Sequence, residues 1–168
     1  PVAMQQSGYV WKDQFAANFI PTIPADGTPR QPRPFATPIA GTTLYTSAAD
    51  YAQFLVAVIN DAPALQWITK SPVAVDISLG LGWGLGWGIE RSENDLLIWH
   101  WGNNPGYRAF ATASVQTGNG FVMLTNSDDG LALAQPIAAQ LLPGTHKLFQ
   151  FYMLHNRSVS FACKVFNR

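Results

Sequence analysis

Between residues 80 and 88 every second position is glycine (Gly80, Gly82, Gly84, Gly86, Gly88), and Leu81, Trp83, Leu85 and Trp87 stand between them. A period of two is the period of a β-strand, so this run predicts a strand with one bulky face and one bare face. The bare face would let another backbone, or a flat ligand, approach closely. The spacing is not G-x-G-x-x-G, which excludes a dinucleotide loop. Whatever else the chain contains, it must build a sheet around this segment.

The flanking sequence supplies the rest of that sheet. Arg91 to Asp95 is polar turn material, and Leu96 to Trp101 reads as the return strand of a hairpin. Asn103-Asn104-Pro105-Gly106 marks the next turn, and 107–115 and 121–125 read as two more strands joined through Gly118-Asn119-Gly120. Upstream, Ser47 followed by Asp50 has the pattern of a helix start, and Tyr51, Phe54, Leu55 and Val58 recur at helical spacing, predicting a helix over 48–60. A short second helix is expected over 64–69, ended by Ser71-Pro72, and a third over 128–142, with Pro136 near its start or bending it. Gly8 to Trp11 could be a short strand. Residues 21–38 hold six of the twelve prolines and read as an extended loop without a ladder. The expectation is an α+β fold, a four-strand antiparallel meander flanked by helices. It forms one domain over 1–155, while 156–168 departs in composition and reads as a tail of uncertain origin.

Composition narrows the function. Only 12% of the 168 residues are charged, against 48% hydrophobic. A compact chain of this mass exposes about 8,000 Å², which leaves roughly one charge per 400 Å². Ten Phe, six Trp and five Tyr provide ample material for a core, so disorder is excluded. A net charge of zero argues against nucleic acid as partner. No run approaches ~18 apolar residues, so no membrane span is expected. The single cysteine, Cys163, excludes an internal disulfide and a thiolate zinc site, and no histidine pair has ligand spacing, with His146 and His155 read as surface residues. No metal and no cofactor are expected. Sparse charge and many aromatics instead suggest a surface covered by something else, with open sheet edges suited to self-association. Opening on Pro1-Val2-Ala3-Met4, with neither a basic start nor an apolar core, the chain reads as processed or truncated upstream, and compartment is undetermined.

His100-Trp101-Gly102-Asn103 is the best place for chemistry. A histidine at a strand end, beside glycine and a polar turn, can present an imidazole near its working pKa while backbone N–H groups stay accessible. On spacing alone the plainer reading is the better one, since a lone histidine flanked by Trp99 and Trp101 is more often a packed sheet residue. Ser127-Asp128-Asp129 reads as a helix cap.

His100-Trp101-Gly102-Asn103-Asn104-Pro105-Gly106-Tyr107 resembles the third motif of serine hydrolases related to class C β-lactamases, penicillin-binding proteins and their esterase relatives. Three other segments agree in order: Ala40 to Ala52 resembles the family's small-residue turn leading into a helix, Gly82 to Ile89 the strand before the third motif, and Val122 to Asn126 the far side of the sheet. The resemblance covers roughly residues 8–150 and implies the C-terminal portion of the serine β-lactamase-like fold. It implies acyl-enzyme chemistry on an amide or ester, often outside the cytoplasm. His100 would then supply a hydrogen-bonding or positive group near the nucleophile, and the Asn103 N–H one oxyanion donor. Gly102 would leave room for substrate along the strand edge, with Trp101, Asn104 and Tyr107 lining it. The family's nucleophile comes from Ser-x-x-Lys, and no serine here has lysine at plus three; Tyr-x-Asn is absent too. The chain is therefore expected to be inactive alone, with the missing N-terminal part of the same hydrolase as its partner and a small molecule or peptide as substrate. Two alternatives stand beside this: a non-catalytic peptide- or sugar-binding module with Trp83, Trp87, Trp99 and Trp101 as platform, and a truncated remnant without function.

Overall fold

A computed structural model describes residues 2–23, 27–30, 34–92 and 95–155, so the 156–168 tail lies outside the described residues. Six antiparallel strands lie in chain order across one sheet. They are β1 (Val73–Asp76), β2 (Leu81–Trp83), β3 (Gly88–Arg91), β4 (Leu96–Asn104), β5 (Tyr107–Ser114) and β6 (Gly120–Thr125). Helices α1 (Ala48–Asn60) and α2 (Ala62–Thr69) precede the sheet, and α3 (Ala134–Leu141) and α4 (Tyr152–His155) follow it. The architecture is α+β, as the sequence pattern predicts.

The glycine run is two strands, not one. The Gly84 N–H donates to the Trp87 carbonyl at 2.8 Å and Gly86 sits at φ 78°, so the chain reverses inside the run. Alternation of glycine persists through the turn because glycine serves both the turn and the close packing beside it. The bare sides are filled by the protein itself. A Cβ on Gly84 would lie 1.9 Å from the Ile68 carbonyl oxygen, and one on Gly88 would lie 2.3 Å from the Trp99 ring. The meander thus has six strands rather than four, the added outermost one being β1. Its Val73 is 71% exposed and Val75 also faces solvent, so no alternation of burial announces it.

Each face of the sheet carries its own core. On one, Leu81, Leu97, Trp99, Phe110 and Met123 pack beneath Ala134 and Ala138 of α3, with Leu148, Phe149 and Phe151 from the segment after it. On the other, Ile89, Ile98 and Ala113 meet Leu55 of α1, Ile68 of α2 and Trp87. Each large apolar side chain fully buried in this way contributes about 1.5–3 kcal/mol. Trp87 and Trp99 are both buried, which removes them from any exposed platform.

Helix α1 spans the expected residues. Ser47 accepts the Asp50 N–H at its start, and the buried Asp50 carboxylate accepts from the Gln6 N–H and Ser7 Oγ, both at 2.8 Å, fastening the N-terminal segment to the helix. Gly8 to Trp11 is not a strand; Gly8 makes a lone bridge to Tyr45. Helix α2 starts at Ala62 because Asp61 caps it by accepting the Ala64 N–H. The third helix is shorter than 128–142. A 3-10 turn over Gly130–Leu133 comes first, and Pro136 is the third residue of α3, where its missing N–H would have had no helical partner.

His146 is not a surface residue. Its side chain is buried, with Nδ1 4.0 Å from Glu90 Oε2. Glu90, also buried, accepts the N–H groups of Lys147 at 2.6 Å and Leu148 at 3.3 Å. This carboxylate caps the 3-10 turn Lys147–Gln150 from the middle of the sheet.

Candidate functional site

The pairing of β4 is asymmetric. With β5 it runs to the turn, ending at Asn104↔Tyr107, whereas with β3 it stops at Gly88↔Trp99. Residues 100–104 therefore have a strand on one side only. The hydrogen bond from the Val115 N–H to the Leu96 carbonyl, 2.9 Å, fixes which main-chain groups point where. Antiparallel pairs alternate between bonded and non-bonded, so His100, Gly102 and Asn104 direct their N–H and C=O toward β5. Trp101 and Asn103 direct theirs to the open edge. The edge is open because the chain has already reversed at Gly84–Trp87, ahead of the point where it would reach Trp101.

Side chains alternate as well. His100, Gly102 and Asn104 share the face covered by α1, and Trp101 and Asn103 the opposite one. The His100 ring is half-buried among Trp83 at 5.4 Å, Trp101 at 5.9 Å and Trp87 at 6.3 Å. Burial pushes its pKa below the usual imidazole range, and a hydrogen bond with the Trp101 main chain partly opposes this. At neutral pH the ring is uncharged and can accept as well as donate. Trp101 packs between Trp83 at 5.5 Å and Phe151 at 6.1 Å. A Cβ on Gly102 would meet that of Ala109 at 3.2 Å, a tight approach that Ala109 would have to relieve by shifting.

The turn beyond is held by segments far away in sequence. Asn104 Nδ2 donates to the Thr42 carbonyl at 2.9 Å, and the Tyr107 hydroxyl to the Ile20 carbonyl at 2.8 Å, with its ring against Phe19. Asn126 Nδ2 donates to the Pro21 carbonyl at 3.0 Å. The loop predicted over 21–38 thus begins beside the end of β4. The structure brings His100, Trp101, Gly102, Asn103, Asn104 and Tyr107 to one end of one hairpin.

Two residues escape a reading of the sequence. Arg108, 5% exposed, donates through Nη1 to the carbonyls of Asn104 at 2.7 Å and Tyr107 at 2.9 Å, and through Nη2 to Asp128 Oδ1 at 2.8 Å. Asp128 Oδ1 also accepts the Gly106 N–H at 2.9 Å. Within Ser127-Asp128-Asp129 no side chain caps the 3-10 turn that follows; the Ser127 hydroxyl accepts the Asp129 N–H at 3.3 Å, and the Asp129 carbonyl accepts the Ala132 N–H at 3.0 Å. The available signal was the arginine itself, placed two residues beyond Pro-Gly in a strand with no other charged residue.

Chemically, the Trp101 and Asn103 N–H groups at this edge meet no backbone partner among the described residues, and they can take an extended peptide or a developing oxyanion. Beside them stands a neutral imidazole. Among the described residues no helix is long and apolar enough to cross a membrane.

Comparisons with known proteins agree with the fold. No curated protein matches the chain. The solved structure of the octameric penicillin-binding protein homologue from Pyrococcus abyssi is similar in fold, with a TM-score of 0.58 at 21% identity. The match covers 83% of this chain and 36% of that one, so the present chain spans little more than a third of that relative's length. The Beta-lactamase family model matches residues 7–143, and on that match the chain belongs to the serine β-lactamase-like family.

Proposed function

We propose that the chain is the sheet portion of a serine hydrolase that cleaves an ester or amide through an acyl-enzyme, with nucleophile and base supplied by polypeptide outside this sequence. One observation carries the reading: the His100-Trp101-Gly102-Asn103 motif coincides with the stretch of β4 that lacks a strand on one side. Substrate lies along that edge. The Asn103 N–H, directed outward, is one oxyanion donor, and such a donor is typically worth ~10²–10³ in rate. His100 contributes a hydrogen bond near the nucleophile, and Gly102 keeps the edge low enough for substrate to approach. Trp101, Asn104 and Tyr107 border the cleft. No serine of this sequence has lysine at plus three, so the half-site has nothing here to attack a carbonyl. The sheet's two rims, β1 and β6, also suit self-association, and the penicillin-binding protein homologue from Pyrococcus abyssi is itself an octamer.

Assays with nitrocefin and p-nitrophenyl esters test this. The chain alone is expected to give no saturable turnover, and co-expression with a family polypeptide carrying Ser-x-x-Lys and Tyr-x-Asn to restore it, with loss again on His100→Ala. Saturable turnover by the chain alone, abolished by His100→Ala, would overturn the claim that the nucleophile lies elsewhere.

A further inference from the structure

We infer that Arg108 and Asp128 are positioning residues that hold the outward N–H of Asn103 at a fixed angle by locking the turn beside it. The inference rests on the hydrolase reading for its purpose, but its geometry stands alone.

Arg108 is the cross-strand partner of Asn103. Its guanidinium reaches past the strand end to the carbonyls of Asn104 and Tyr107, the two residues that close the turn. The remaining fork meets Asp128 Oδ1, which also holds the Gly106 N–H from within the turn. Two backbone carbonyls and one carboxylate thus converge on a single planar cation, and the carboxylate in turn accepts the Gly106 N–H. A lysine ammonium is a point donor and cannot span these acceptors in one orientation, whereas the rigid guanidinium fork can. Gly106 lies at φ 78° with Thr22 packed where a Cβ would be, at 2.5 Å, so the turn is also confined from the far side. Asn126 and Tyr107 anchor the same end to the N-terminal segment.

This end needs such restraint. Past Trp99 the strand has lost β3, and a strand with one neighbour bends more readily than one with two. Donors at a reacting centre must be held to within about 0.5 Å and 10–20°. An ion pair whose carboxylate is 40% exposed adds little stability by itself, since solvent screens the attraction. Its placement, bonded to main-chain groups on both sides of the turn, is suited to fixing geometry.

Backbone ¹⁵N relaxation on the chain with Arg108→Lys and with Asp128→Asn tests this without any need for turnover. Asp128 is 40% exposed, so its conservative variant is expected to fold even if the arginine variant does not. The expected result is a fall in the order parameter of the Asn103 amide from ~0.85 to below ~0.6. Exchange of the Gly106 amide should quicken about tenfold while Ile98 and Thr112 stay unchanged, because the loss of one charged hydrogen bond opens the turn locally. An unchanged Asn103 amide in Asp128→Asn would overturn the proposal, as would uniform loosening along β4 and β5. Failure of the hydrolase reading shows separately, in the nitrocefin and ester assays on the unsubstituted chain.

Discussion

At the scale of single residues, Gly88 shows how tightly this molecule is specified. The Trp99 ring lies where its side chain would be, so Gly88→Ala has to displace the largest fully buried side chain. Overpacking of this kind costs about 1–3 kcal/mol, and urea unfolding should show it as a lowered midpoint with an unchanged slope. His100 makes a second residue-scale prediction. Burial disfavours its protonated form, so the folded chain binds that proton less readily than the unfolded chain. Its contribution to stability is therefore present above the ordinary imidazole value and lost as pH falls through the folded one. An NMR titration of the ring should give a midpoint below that of a free histidine, and a midpoint above it would contradict the burial argument. The motif carrying His100 was legible because its residues are contiguous. Arg108 and Asp128 were not, since nothing in a linear pattern reports that two residues twenty apart meet across a turn.

Among the elements, α1 was readable to its ends because both kinds of signal coincide, a capping serine and apolar residues at helical spacing. Ser47→Ala removes the acceptor of the Asp50 N–H and is expected to cost ~1 kcal/mol, measurable by thermal or chemical unfolding. The glycine run misled for an instructive reason. Alternation normally reports the two faces of one strand, but here it spans two strands and the turn between them. Each glycine answers a different demand, whether Pro72 at Gly82, Ile68 at Gly84, a positive φ at Gly86 or Trp99 at Gly88. Strand β1 was missed because an edge strand with both valines in water carries no burial period at all. The start of α3 was misplaced because Pro136 is compatible with an early helical position wherever the helix begins.

For the whole molecule, Glu90 joins distant parts of the chain. It lies on β3 yet holds the Lys147 and Leu148 N–H groups, which brings Leu148, Phe149 and Phe151 down onto the sheet. Burial raises its pKa, while those two amides and the nearby His146 and Lys147 pull the other way. The folded chain consequently holds this proton more tightly than the unfolded one. The stabilisation this gives is full below the unfolded carboxyl value and fades as pH climbs through the folded value. Against Glu90→Gln as a reference that cannot titrate at this position, the wild-type advantage in unfolding free energy should shrink as pH climbs above the ordinary carboxyl value. A flat or growing difference would show that the amides outweigh burial. Glu90→Ala, which leaves two amides uncapped, should cost about 1–3 kcal/mol. None of this could be read from the sequence, where an acid in a strand and a histidine fifty-six positions later carry no common mark.

The early reversal at Gly84–Trp87 also acts as a ruler. It sets where β3 begins, and therefore how many rungs of β4 remain vacant beyond Trp99. Two extra residues on each arm of that hairpin would bring a new rung opposite Trp101 and let the protein dock onto itself in place of any guest. The length of a loop that touches no substrate thus decides whether the berth is vacant at all.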